Sequence, residues 1–312
     1  MNREPIITVV GSINMDLVAS STRRPITGET LHGEDFQTIS GGKGANQAVA
    51  AARLGAKVNM IGRVGDDDFG TRLQHNLKQE GIFLKGVEPV TDCTSGVAVI
   101  TLAEGDNSII VVAGANSCVT PDYVQKHRDL IAQSDIVLTQ LEIPLETVEE
   151  TAHICEKYHI PLVLNPAPAH PLSTSLVSKA TFITPNQVEA QHLISQVEED
   201  NIEALFEQWG NQLIMTDGKE GVIYSADGRI QRVPAYQVNP VDTTGAGDTF
   251  NGAFAYGTAR SYPLERSCQF ANAAASLSIL KKGAQAGMPS KSEVEDFIRA
   301  EEEKDMEMDA MK

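Results

Sequence analysis

The segment IITVVGSINMD, residues 6–16, runs apolar and β-branched as far as Val10 and then turns polar. A short, nearly continuous apolar run of this kind is how a strand covered on both faces reads. Similar runs recur at Val58–Ile61, Ile136–Leu138, Leu162–Leu164, Phe182–Ile183 and Leu213–Met215. Helical patterns lie between them, at Ala45–Leu54, Asp67–Gln79, Pro121–Ala132, Leu145–Tyr158 and Val188–Ile194. Thr120 before Pro121 reads as an N-cap with proline at the first helical position, and Ser290 with Glu293 has capping-box spacing. The alternation predicts βαβ units: one α/β domain over residues 1–300, with a doubly wound, mostly parallel sheet flanked by helices.

Two segments break the rhythm. Residues 17–40 and 96–112 alternate as strands do and carry turn signals, the second around Glu104–Asn107, but show no helix. They form either a small β-sheet standing off the main domain, as a lid, a dimer contact or both, or an extension of the main sheet. Residues 301–312, EEEKDMEMDAMK, are highly charged and lack aromatic and β-branched residues, which predicts a disordered acidic tail.

Composition excludes several classes. Twenty-five Lys and Arg against 42 Asp and Glu give a net charge of −17. Such a surface disfavours nucleic acid and anionic membrane as partners. No apolar run approaches the roughly 18 residues a membrane span needs. The opening MNREPIITVVGS has too short an apolar stretch for a signal peptide. Cys93, Cys118, Cys155 and Cys268 are scattered, as suits a reducing, cytoplasmic location, and the seven histidines show no zinc spacing.

Ligands of an open parallel sheet bind beyond the carboxyl ends of its strands. Polar residues follow most of the apolar runs: Asn14 and Asp16, Glu142, Asn165, Asn186 and Glu189, then the segment TDGKEG from Thr216. Together they point to a polar pocket. A glycine cluster, SGGKGANQAVAAA at 40–52, leads into a helix and offers Lys43 and Asn46 as donors. It matches neither the P-loop pattern nor a clean G-x-G-x-x-G. A second cluster, VDTTGAGDTFNGAF at 241–254, places Asp248 where a glycine loop becomes an apolar helix. Asp248 is then either the helix cap or an acid beside an anion-binding helix N-terminus, where it would take a proton from a group attacking that anion.

With GGKGAN near the start, NPAP and TPN-x-x-E in the middle and DTTGAGDTF near the end, the chain resembles the ribokinase family of sugar kinases from about Ile6 to Phe297. The resemblance implies transfer of the γ-phosphate of MgATP to the primary hydroxyl of a sugar, here the 5-hydroxyl of D-ribose. It implies Asp248 as the base, an anion hole at Gly245, Ala246 and Gly247, and sugar contacts from Asn14, Asp16, Gly42, Lys43, Asn46 and Glu142. It places Asn186 and Glu189 at metal-bound water and phosphate, with Mg2+ held through water by Glu189. Thr216, Gly218, Gly221 and Asn272 match the nucleotide pocket. Asp242, Thr244, Ser278, Lys281, Gly283 and Gly287 match a monovalent-cation site, usually for K+ and mostly of carbonyl oxygens. The resemblance further implies a homodimer through the lid sheet. The competing readings are a kinase for 2-deoxyribose, another sugar or a nucleoside, a sensor without turnover, and a nucleotide-dependent oxidoreductase.

Overall fold

The computed structural model describes residues 3–194, 201–226 and 228–310. Its main sheet has six parallel strands, in the spatial order Phe182–Ile183, Leu162–Leu164, Ile136–Thr139, Ile6–Val10, Lys57–Gly65 and Phe83–Val90. Successive residues of the central strand face opposite ways, and each face has its own core. Ile7 and Val9 pack among the helices Lys43–Arg53, Asp68–Gln79, Ala246–Ala259 and Leu264–Ser278. Val10 packs among Pro121–Lys126, Leu145–Tyr158, Thr174–Lys179 and Ile202–Trp209. The doubly wound reading therefore holds. No helix among the described residues is long and apolar enough to cross a membrane.

The second sheet stands apart from the first. Its order is Asp35–Gly41, Asn14–Ser20, Gly96–Ala103 and Asp106–Val112. The last two strands pair antiparallel, and Glu104 and Gly105 turn between them with φ of 57° and 76°. Both turn residues are left-handed, as a tight hairpin matching the strand twist requires.

Several expectations need correction. Leu213–Met215 does not run in the parallel sheet. The strand is Ile214–Thr216, and it pairs antiparallel with Val222–Ala226, which pairs with Arg229–Val233. Single parallel bridges, Ile183 to Leu213 and Asn186 to Thr216, link it to the main sheet. An apolar triplet reads alike in either pairing. Phe83–Val90 is an additional edge strand; Gly86 and Pro89 hide it, and both are tolerated at an edge. The helix expected over Pro121–Ala132 breaks at His127 into two. The acidic tail, expected to be disordered, continues the last helix, Lys291–Ala310. Glu, Lys, Met and Ala are strong helix formers, and Lys304 reaches back to Glu301 at 2.6 Å. Residues 311–312 lie outside the described residues.

Candidate active site

Helix Ala246–Ala259 begins without a side-chain cap. Gly245 occupies the N-cap position with φ 76°, a left-handed conformation that favours glycine. Asp248 is therefore not the cap. It sits in the first turn, 8 % exposed, and points at another helix. Asn46 Nδ2 donates to its Oδ2 at 3.0 Å, and Gln47 Nε2 donates to its Oδ1 at 3.1 Å. The acid at this helix start thus has two amide partners within the protein. The two helices meet closely because Gly252 has no side chain: a Cβ there would fall 2.7 Å from Ala50 Cβ and 2.8 Å from Gln47 O.

Asp248 closes one end of a cavity of about 200 Å³, lined also by Lys43, Asn165, Thr184, Asn186, Glu189, Thr216, Thr243, Gly245, Ala246, Gly247 and Asn251. Of the expected anion-hole amides, Ala246 N–H is engaged, donating to Thr243 O at 3.2 Å. Gly245 and Gly247 N–H have no hydrogen-bond partner among the described residues, so the open donors are theirs. Of the three amides expected there, Ala246 N–H is thus the one with a protein acceptor. Burial would lower the Lys43 ammonium, but Asp248, Glu142 and Glu189 outweigh it and hold Lys43 above the ordinary lysine range. A fixed cation and free amides at a helix start are complementary to phosphate.

The expected sugar-binding residues gather beside Asp248. Gly42 caps helix Lys43–Arg53 and packs against the backbone of Asn14. Glu142 Oε2 accepts from Lys43 N at 3.1 Å and from Ser12 Oγ at 2.5 Å. Asp16 lies over Gly41, where any Cβ would meet its carboxylate. Burial, then Glu142 and Asp248, push the Asp16 carboxyl up to about 7. Asn14, 3 % exposed, accepts from Asn116 Nδ2 at 2.6 Å.

Asn186 and Glu189 have a local function not expected from the sequence. Glu189 accepts from Asn186 N at 2.8 Å and from Asn186 Nδ2 at 3.0 Å, while Glu189 N donates to Asn186 Oδ1 at 2.8 Å. This is a reciprocal cap on their helix, and it turns the pair into the cavity. Burial raises the Glu189 carboxyl above its ordinary range. No group of three or more His, Cys, Asp and Glu that could hold a metal occurs among the described residues. The donors present fit Mg2+ held mainly by phosphate and water rather than an all-protein cage.

Thr216 lines the cavity; Gly218 and Gly221 follow it in the turn to the next strand. Asn272 does not line the cavity. It is buried and donates to Val233 O at 3.0 Å and Pro234 O at 3.2 Å, bracing the chain behind the turn. Asp242 ties two loops together, accepting from Thr244 N at 2.9 Å and from Gly283 N at 2.8 Å. The Ser278 carbonyl lies where a Cβ on Gly287 would be, at 1.9 Å. Carbonyls and one carboxylate at this crossing fit a monovalent cation; the Lys281 side chain is exposed and takes no part. Sequence reading missed Gln47, Asn116, Gln140 and Gln285. Gln47 directly follows Asn46 in GGKGANQ, and Gln285 stands in KKGAQ, but amide side chains on apolar helices and loops carry no spacing signal of their own.

Comparison with known proteins identifies a family and several relatives. Residues 5–291 match the pfkB family carbohydrate kinase. The chain is 51% identical over 292 residues to the ribokinase of Bacillus subtilis (strain 168), covering 94% of this chain and 99% of that one. It is 37% identical over 304 residues to the deoxyribokinase of Salmonella typhi, covering 95% and 99%. The structure of Arabidopsis thaliana ribokinase complexed with ribose and ATP superposes with a TM-score of 0.87 at 32% identity, over 95% of this chain and 99% of that one.

Proposed function

The chain belongs to the pfkB family of carbohydrate kinases, and from that premise we propose that it phosphorylates D-ribose at O5 with ATP, giving D-ribose 5-phosphate. The observation that carries this reading is the placement of Asp248. A buried carboxylate stands in the first turn of a helix whose free amides open on the same cavity.

In this reading, Asn14, Asp16, Lys43, Asn46 and Glu142 hold the ring hydroxyls, and Asp248 accepts the proton of the 5-hydroxyl as its oxygen attacks phosphorus. Gly245 and Gly247 N–H, with Lys43, hold the transferring group, because phosphoryl transfer needs positioning and charge stabilisation above all. Glu189 and Asn186 orient the water and phosphate around Mg2+, which when bound neutralises phosphate charge. Thr216, Gly218 and Gly221 border the nucleotide, with Asn272 as their support. Asp242, Thr244 and the carbonyls of Ser278, Lys281, Gly283 and Gly287 would hold K+, whose charge would steady the loop before the anion hole.

The same reading makes the second sheet a lid and a dimer contact. Phe36, Ile109, Ile110, Val111 and Val112 are large apolar residues left exposed on it. An exposed apolar strand at a sheet edge needs cover, and a second copy supplies it. We place the protein in the cytoplasm on its four scattered, unbridged cysteines, with no nucleic acid or membrane partner on its charge of −17.

Deoxyribose is the second reading, favoured by the deoxyribokinase relative. Incubation with MgATP and either ribose, deoxyribose or adenosine, with ADP release as the readout, decides between them. Ribose should be turned over most efficiently. A strong preference for deoxyribose would show that the role given to Asn14 and Asp16 is wrong.

A further inference from the structure

An ionised carboxylate only accepts hydrogen bonds, so the amides facing Asp248 must both turn their NH2 groups toward it. Asn46 and Gln47 do so. That choice leaves Asn46 Oδ1 and Gln47 Oε1 pointing away, where each in turn needs a donor. Gln285 Nε2 donates to Asn46 Oδ1 at 3.0 Å, and Gln140 Nε2 donates to Gln47 Oε1 at 2.6 Å. The requirement passes outward once more: Gln285 Oε1 accepts from Asn76 Nδ2 at 2.8 Å. Gln47 Nε2 also donates to Asn165 Oδ1 at 3.1 Å, so its orientation is set from two sides, while Asn46 and Gln285 face as the charge at Asp248 requires.

The second chain ends without compensation. Gln140 Oε1 is buried and has no partner among the described protein groups. Such an orphan costs about 1–3 kcal/mol. Turning the amide over would break the bond to Gln47 and set Gln140 Oε1 against Gln47 Oε1, so the geometry keeps the orphan and the direction of the chain.

We infer that the chains Asn76–Gln285–Asn46 and Gln140–Gln47 are a positioning device for the Asp248 carboxylate, and that Asn76 and Gln285 are positioning residues for phosphoryl transfer. The inference rests on the reading of Asp248 as the base. The device anchors each carboxylate oxygen to a different part of the fold. Asn76 stands on helix Asp68–Gln79, Gln285 in the loop after helix Leu264–Ser278, and Gln140 at the exit of the strand Ile136–Thr139. Arg53 Nη1 holds that loop in place by donating to Gln285 O at 2.5 Å and to Met288 O at 3.0 Å. Asp248 is thereby held from the sheet, a helix and a loop at once, and the remaining lone pairs of its oxygens are left for the substrate hydroxyl.

The test is steady-state kinetics of the full chain with ribose and MgATP for wild type, Asn76→Asp and Asn76→Ala. The carboxylate introduced by Asn76→Asp is isosteric but only accepts. Gln285 then turns to donate to it, Asn46 turns in response, and an amide oxygen faces Asp248. We expect kcat to fall roughly tenfold in Asn76→Asp and only about twofold in Asn76→Ala, since small misplacements at a reacting centre are costly. A merely structural role predicts the opposite order, with the isosteric variant milder. Asn76 is partly exposed, so its variants should fold. An active wild type with Asn76→Asp equal to it or milder than Asn76→Ala overturns the relay alone. A wild type that does not turn over ribose overturns the parent reading, and the relay with it.

Discussion

Asn116 Nδ2 lies 2.6 Å from Asn14 Oδ1, although the two residues are 102 apart in sequence. Asn116 Oδ1 also accepts from Ile13 N at 2.9 Å, so one buried amide fixes both the backbone and the side chain of the segment that presents Asn14. Asn116→Ala should raise the KM for ribose roughly tenfold, with a smaller change in kcat, and cost about 1–3 kcal/mol of stability through the groups left unpaired. Calorimetric titration with ribose and thermal melting measure the two effects. Unchanged sugar affinity would mean that Asn14 needs no such support.

Asp248→Asn should keep the fold and the KM while lowering kcat by roughly 10²–10⁴, the scale of a lost general base. The variant also places an amide where Asn46 and Gln47 both donate, which adds to the loss. Turnover close to wild type would remove Asp248 from the chemistry.

Asp16 carries a pH dependence of known sign. Its carboxyl rises from 3.8 unfolded to about 7 folded, because of burial and then Glu142 and Asp248. Between these values the folded protein holds a proton that the unfolded chain has released, so stability falls as pH rises through that window and levels off above it. Urea unfolding without ligand, repeated from pH 4 to 8, should show the decline in wild type and a flatter profile in Asp16→Asn. Parallel profiles would refute the assignment.

Asp242 behaves in the opposite sense. Burial raises its carboxyl, but the hydrogen bonds from Gly283 N and Thr244 outweigh this and hold it below the ordinary range. Its contribution is present above the unfolded value of 3.8 and lost as pH falls through the folded one. Asp242→Ala should cost about 1 kcal/mol at neutral pH, since the site is partly exposed, and abolish any stimulation by K+ over tetramethylammonium. Retained K+ stimulation would place the cation elsewhere.

Ile110 is 67% exposed on the strand Asp106–Val112. If a second copy covers that strand, burying Ile110 contributes about 1.5–3 kcal/mol per protomer and a charge there is excluded. Ile110→Glu should shift the sedimenting species from dimer to monomer. A wild type that sediments as a monomer would count against the dimer itself.

Much of this architecture was legible because its signals are local. The runs Ile6–Val10, Leu162–Leu164 and Phe182–Ile183 are strands with those same bounds, and Thr120 and Ser290 cap the helices they were expected to cap. Ile214–Thr216 was recognisable as a strand but not as an antiparallel one, since pairing direction is a property of two segments. The start of the last helix was legible at Ser290, but its extension over residues 301–310 was hidden by charge, which reads as solvated whether or not the backbone is helical.

The sequence by itself determined the alternation of strands and helices, the two glycine-led helix starts and the acid at one of them. These depend on periodicity, backbone freedom and side-chain chemistry within a few residues. Only the tertiary structure decided what faces Asp248. Residues 46, 47, 76, 140 and 285 converge on it because the sheet and its flanking helices bring distant segments together, and the donor direction of each amide is set by its neighbour in space rather than in the chain.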